Sequence, residues 1–257
     1  MRSLPSTAIE SLLAPSPDPE RTGWLGRWTY AHRGLHGEGR VENARAAFAA
    51  ALEAGVGIEC DIQRSADDVP MVFHDWDFKR LIGRPDRTEA LTAAEWRKLS
   101  YLEHEDAPMD LAELLAMVDG KVPILIEIKS RRSYDVETTC LKVRDALAGY
   151  DGHHAVMSFD PRVPRWLRRH SPETLRGLVM REDDKGYTQT AWSRRMALWI
   201  AKPDFMAYHV DALPSEWVAG LRARGMPIAT WTVRTAAERE RARACADAPI
   251  FEGELPA

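Results

Sequence analysis

The sequence predicts an α/β protein, a TIM (β/α)8 barrel with a small insertion after the third predicted strand. Three observations lead there. Short apolar runs alternate with helical patterns along the chain, the signature of βαβ units around a parallel sheet. The alternation recurs about eight times, as a closed barrel requires. The chain has 257 residues, 45% of them hydrophobic, enough for one sizeable core. No Ser/Gly/Pro-rich linker interrupts its middle, so a single domain over 1–257 is expected, with an N-terminal extension at 1–27 and the barrel at 28–257.

Taken in order, the expected strands are 29–34 (TYAHRG), 57–63 (GIECDIQ), 69–74 (VPMVFH), 122–129 (VPILIEIK), 155–159 (AVMSF), 175–180 (LRGLVM), 205–210 (FMAYHV), 227–233 (PIATWTV) and 249–253 (PIFEG). Helices fill the gaps. In 42–55, Ala44, Ala47, Phe48, Ala51 and Leu52 fall at helical spacing before Gly55, a C-terminal stop. Segments 110–120, 134–150, 162–170, 188–202, 214–225 and 235–246 read the same way. The stretch 75–109 breaks the rhythm: it is long, polar and helical only around TAAEWRKL. It is expected to be an insertion at the barrel mouth, where long loops grip substrates.

A net charge of −4 gives no general attraction for nucleic acid, so small-molecule partners fit better. Cys60, Cys140 and Cys245 stand far apart with no CxxC pair, which suggests neither a zinc site nor a disulfide framework. A reducing compartment follows. The proline-broken N-terminus lacks a signal-peptide apolar run, and no segment is long and apolar enough to span a bilayer. The expectation is a cytoplasmic protein of unassigned oligomeric state.

The chemistry begins in GIECDIQ. Ile58, Cys60 and Ile62 share one face of the strand, and Glu59 and Asp61 share the other. Buried neighbouring carboxylates are costly unless paired or bound to a metal. A second strand repeats the device: Leu125, Glu127 and Lys129 share a face opposite Ile124, Ile126 and Ile128. One such strand alone reads as an ordinary amphipathic strand with its acids in water. Two allow Glu59, Asp61 and Glu127 to converge inside a barrel as an all-oxygen site, suited to a divalent cation, Mg2+ or Ca2+, rather than zinc.

His32 and His74 each close a predicted strand, where a barrel strand opens into its loop, and histidine exchanges protons near neutral pH. Arg33 and Lys129 add a guanidinium and an ammonium beside the acids, a pattern that suits an anion. A phosphodiester satisfies the whole set. A metal would polarise phosphoryl oxygens, Arg33 and Lys129 would hold remaining charge, and His32 and His74 would serve as general acid and base.

In order and spacing, His32-Arg33-Gly34, Glu42-Asn43, Glu59-Cys60-Asp61, His74-Asp75 and Glu127-Ile128-Lys129 resemble the motifs of the glycerophosphodiester phosphodiesterase family. The likeness runs from about Tyr30 through Trp231-Thr232-Val233 to the last strand. It implies a TIM barrel with a small insertion after the HD motif and metal-dependent hydrolysis of glycerophosphodiesters to sn-glycerol 3-phosphate and an alcohol. By the same resemblance, His32 and His74 would be the acid/base pair, Glu59, Asp61 and Glu127 the metal ligands, and Arg33 and Lys129 the phosphate contacts. Glu42 and Asn43 would be supporting residues.

Four positions depart from the family pattern. Val41 stands for its proline, Asp67-Asp68 for its Asp-Gly turn, Arg234 for the Asn after Trp-Thr-Val, and "IFEGELP" for the closing Thr-Asp. Arg234 and Glu252 bear on the choice of head group. Two other readings stay open: a phospholipase D-like or lysophospholipase D activity, and a non-catalytic phosphate-binding barrel.

Weaker signals remain. Trp231 is a candidate for stacking on substrate, as is Trp76, and either equally suits packing. Trp192, Met196, Trp199 and Ile200 form a stripe with Arg194, Arg195 and Lys202 nearby. It suits the core face of a barrel helix or a weak membrane-surface contact. His36, His104, His153, His154 and His170 read as bystanders, while His209 ends a predicted strand.

Overall fold

A computed structural model describes residues 13–37 and 39–253. The proposed extension lies in part, at 1–12, outside the described residues. The fold is a TIM (β/α)8 barrel. Two compact units divide the chain, one of residues 30–154 and one of 13–29 with 155–253.

In the first unit the order is β1 (Tyr30–Ala31), α1 (Arg45–Glu53), β2 (Gly57–Arg64), β3 (Pro70–Val72), α2 (Lys79–Ile82), α3 (Ala93–Trp96), α4 (Leu111–Val118), β4 (Ile124–Ile128) and α5 (Val136–Leu147). Strand β2 is the centre of this unit. It pairs in parallel with β1 and with β4, and antiparallel with β3. All but its last residue are buried, so Glu59, Asp61 and Gln63 are enclosed along with the apolar Ile58, Cys60 and Ile62 of the opposite face. Helix α4 begins at a reciprocal cap: Glu113 N–H donates to Asp110 Oδ1 and Asp110 N–H to Glu113 Oε2, each at 2.9 Å.

The segment 75–109, polar in composition, has its own apolar centre. Phe73, Phe78, Ile82, Trp96, Leu99 and Tyr101 pack as one cluster with Ala44 and Met71. Phe78 and Trp96 meet edge to face with centroids 4.6 Å apart, a favoured aromatic geometry. The insertion is therefore a packed cap fastened to β3 rather than a loose loop.

In the second unit come β5 (His154–Ser158), α6 (Arg162–His170), β6 (Leu175–Met180), α7 (Ala191–Ala201), β7 (Phe205–His209), α8 (Glu216–Ala223), β8 (Ile228–Val233), α9 (Ala236–Cys245) and β9 (Ala248–Phe251). Each strand from β5 to β9 is parallel to the next. Leu178, Met180, Leu198, Met206, Leu221 and Ile228 lie in the buried cluster that joins these strands to their helices.

Two expectations need correction. The third predicted strand runs antiparallel to β2 and is not a barrel strand, because the chain turns back at Ser65–Val69, where Ser65 N–H donates to Val69 O at 3.0 Å. The tryptophans of 188–202 do not face the core either. Ala197, Leu198 and Ala201 are buried, while Trp192 and Trp199 are 70% and 52% exposed. Small side chains let α7 sit close to its neighbours, which leaves the bulky rings outside.

Candidate active site

Glu59 and Asp61 project from one face of β2 and are 2% and 1% exposed. On β4, parallel to β2, Glu127 stands opposite Asp61 in register and is 8% exposed. The structure thus brings the three acids together, with ligand oxygens within 4.8 Å of one another.

Asp61 is the most heavily compensated of the three. Lys129 Nζ is 3.3 Å from its Oδ1 and Arg33 Nε is 3.1 Å from its Oδ2. Asn43 Nδ2 donates to Oδ2 at 3.0 Å. Burial opposes ionisation of Asp61, but Lys129 and Arg33, helped by His74 and His32, hold its carboxyl well below the usual carboxylate range. Lys129 also donates to Glu127 Oε1 at 2.8 Å. Burial disfavours its ammonium, yet Glu127 and Asp61 outweigh that and raise its pKa.

Glu59 is different. Its Oε2 accepts the backbone N–H of Arg33 at 3.0 Å, and among the described residues it makes no ion pair. Burial, then the charges of Asp61 and Glu127, push its carboxyl well above the ordinary value. A hard divalent cation fits this donor set. The cluster offers only carboxylate oxygens, and one buried acid lacks a cationic neighbour in contact. Binding the cation would favour the ionised form of Glu59, which its surroundings otherwise disfavour.

His32 follows β1 directly and is partly exposed. His74 arrives by another route than the sequence suggested. It was expected where a barrel strand opens into its loop. Instead the antiparallel β3 carries it back along β2, and Phe73 N–H donates to Asp61 O at 2.9 Å. Gln63 Nε2 then holds the backbone by donating to the carbonyls of His74 and Asp75, at 3.1 and 3.0 Å.

The supporting residues form a chain of charges. His74 Nδ1 lies 2.7 Å from Asp75 Oδ1. Arg80, on α2, donates from Nε to Asp75 Oδ2 at 2.7 Å and through both terminal nitrogens to Glu42, at 3.0 and 2.6 Å. Glu42 Oε1 also accepts from Arg33 at 2.8 Å. Burial opposes ionisation of Glu42, but Arg80 and Arg33 prevail and lower its pKa. Asp75 is lowered likewise, by His74 and Arg80 against its burial. Sequence reasoning missed Arg80 and gave Asp75 no role. Arg80 lies in the insertion and belongs to no motif, so only its spacing of five from Asp75 hinted at the contact.

Backbone conformation sets this corner. Arg33 and Asn43 both have φ of 56°, and Asn43 N–H donates to Arg33 O at 2.9 Å. Gly34 has φ of 77°, and a Cβ there would sit 2.9 Å from both Ala47 C and Phe48 Cδ1. Gly34→Ala is therefore expected to cost about 1–3 kcal/mol or more, since it adds left-handed strain to a backbone clash. A fall in the urea midpoint with an unchanged slope would show it.

Trp231 belongs to the second unit. Its Nε1 donates to Ala207 O at 3.0 Å, and its ring meets Phe159 and His209 edge to face, with Arg181 over it at 5.6 Å. Burial, then Arg181, lowers the pKa of His209. Arg234 and Glu252, two departures from the family pattern, pair with each other at 2.7 Å. Trp76 packs edge-on to Tyr134, with Arg131 over its ring at 4.7 Å.

Three converging carboxylates with a lysine, an arginine and two histidines beside them, in a TIM barrel, form the arrangement that cleavage of a phosphodiester would call for. Comparison with known proteins gives the family. Residues 32–251 match the family model described as "Glycerophosphoryl diester phosphodiesterase family", and the chain belongs to that family. It is 24% identical over 241 residues to Glycerophosphodiester phosphodiesterase 1 of Bos taurus, covering 81% of this chain and 72% of that protein. Among solved structures, an Oleispira antarctica phosphodiesterase in complex with the product sn-glycerol-3-phosphate superposes with a TM-score of 0.79 at 20% identity. That match covers 90% of this chain and 94% of the other. A glycerophosphodiester phosphodiesterase of Thermotoga maritima gives 0.72 at 24% identity, covering 87% and 93%.

Proposed function

We propose that this protein hydrolyses glycerophosphodiesters to sn-glycerol 3-phosphate and an alcohol, with Mg2+ or Ca2+ held by Glu59, Asp61 and Glu127. The observation that carries this reading is the convergence of those three buried acids, in a chain whose family is that of glycerophosphoryl diester phosphodiesterases. The product bound by the Oleispira antarctica relative supports the same substrate class. When bound, the cation would act as a Lewis acid on the phosphoryl oxygens.

The chain's own residues supply the rest. Arg33 commits Nε toward Asp61 and one terminal nitrogen to Glu42, and its remaining terminal nitrogen is a donor for a phosphate oxygen. Lys129 holds a positive charge beside it, fixed by Glu127 and Asp61. Asp75 accepts from Nδ1 of His74, so Nε2 is the atom that exchanges a proton with substrate. His32 is its counterpart: one histidine takes the proton from the attacking oxygen and the other gives one to the departing alcohol. Glu42 and Asn43 position Arg33 and Asp61. Trp231 is proposed to contact the glycerol or head group through its partly open ring.

The deciding experiment is a panel of diesters assayed after chelation and re-addition of each metal. Release of glycerol 3-phosphate from glycerophosphocholine is the expected result. Release from lysophospholipid alone would favour the lysophospholipase D reading. Binding of metal and phosphate without turnover of any diester would leave a non-catalytic barrel.

A further inference from the structure

Helix α7 presents its tryptophans outward. Trp192 and Trp199 are seven residues apart, hence on one side of the helix, and both are exposed. Single exposed aromatics are ordinary, but two in line beside a dense positive charge are not.

That charge lies in a cleft of about 270 Å3 lined by Arg165, Arg168 and Arg169 of α6 and by Trp199, Ile200 and Lys202 at the end of α7. No acid lines it. None of its four cations makes an ion pair among the described residues, and Arg168 Nε is enclosed without a hydrogen-bond partner. Asp204, two residues beyond Lys202, is already held by Arg176 at 3.1 Å. The chain as a whole carries −4, so this local excess of cations runs against the average and marks a surface for an anionic partner.

We propose that the α6–α7 face docks onto an anionic phospholipid bilayer. The indoles of Trp192 and Trp199 enter the headgroup layer, while Arg165, Arg168, Arg169 and Lys202 meet the lipid phosphates. Tryptophan is suited to that boundary because its ring is apolar and its N–H is polar. Clustered basic residues add electrostatic attraction that salt weakens. A dissolved phosphate compound would fill the cleft but give Trp192, which does not line it, nothing to do. Docking is independent of the proposed hydrolysis, and its test reads binding alone.

The full-length protein is mixed with vesicles of phosphatidylcholine alone or of equal parts phosphatidylcholine and phosphatidylglycerol, then sedimented. Binding to the anionic vesicles only, with a blue shift of indole emission, is expected. The double variants Arg165→Glu/Arg169→Glu and Trp192→Ala/Trp199→Ala should each weaken binding about tenfold or more with unchanged thermal melting. Should the double charge reversal fold poorly, Arg169→Glu and Trp192→Ala singly serve, since both residues are exposed. Failure to bind anionic vesicles would overturn the proposal. So would binding indifferent to Trp192 and Trp199 and abolished by inorganic phosphate, which would mean a site for a soluble anion.

Discussion

His74→Ala is expected to lower kcat by about 10²–10⁴-fold, the range for losing a positioned acid or base, while the fold survives. The side chain is 30% exposed, so its removal opens no core cavity. Arg80→Ala supplies the contrast. It leaves the imidazole in place but frees Asp75 and Glu42, which Arg80 now clamps together. Its loss should be smaller, about 10–100-fold, as for other orienting partners. Steady-state rates on one diester, with circular dichroism as a check of folding, separate the two. Wild-type turnover in His74→Ala would remove the acid/base assignment.

The second large effect is linked to metal. A cation bound only by the folded chain at about 100 times its Kd should add about 2.7 kcal/mol, or roughly 5–10 °C in Tm for a chain of this size. Glu59→Gln should abolish that rise. The sign for the metal-free protein is opposite to intuition. Glu59 has a folded-state pKa above its ordinary value, because it is buried beside Asp61 and Glu127. Its ionised form therefore costs stability at neutral pH, where the unfolded chain would be deprotonated. The neutral amide removes that cost, so metal-free Glu59→Gln should melt no lower than the wild type while losing both the metal-induced shift and turnover. An undiminished shift would remove Glu59 from the ligand set.

Much of this arrangement was legible in the chain. Alternation along β2 and β4 put Glu59, Asp61 and Glu127 on shared faces, because side chains in a strand have a period of two. The direction of β3 was not legible, since an apolar run carries no sign of which way it runs, and the turn at 65–69 lacks the Asn-Gly or Asp-Gly that announces a hairpin. The insertion looked polar because Phe78, Trp96 and Tyr101 are scattered among charges, and only the fold gathers them. On α7 the period fitted two stripes, one of Trp192, Met196 and Trp199 and one of Ala197, Leu198 and Ala201. Bulk favoured the first, but close helix packing selected the second. Arg80 was hard to see for a related reason: it belongs to no motif itself, and only the folded cap brings it to Glu42 and Asp75 together.

The reversal at Ser65–Val69 ties the placement of His74 to chain length. Val69 N–H donates to Ser65 Oγ at 2.9 Å, and Asp68 adopts φ of 64°, so the bend has a fixed count of residues. Adding or deleting one would exchange the sides taken by Phe73 and His74, turning the imidazole into the apolar cap and the phenyl ring toward the acids. Indels that a surface bend normally accommodates should thus be as disabling here as loss of the histidine itself.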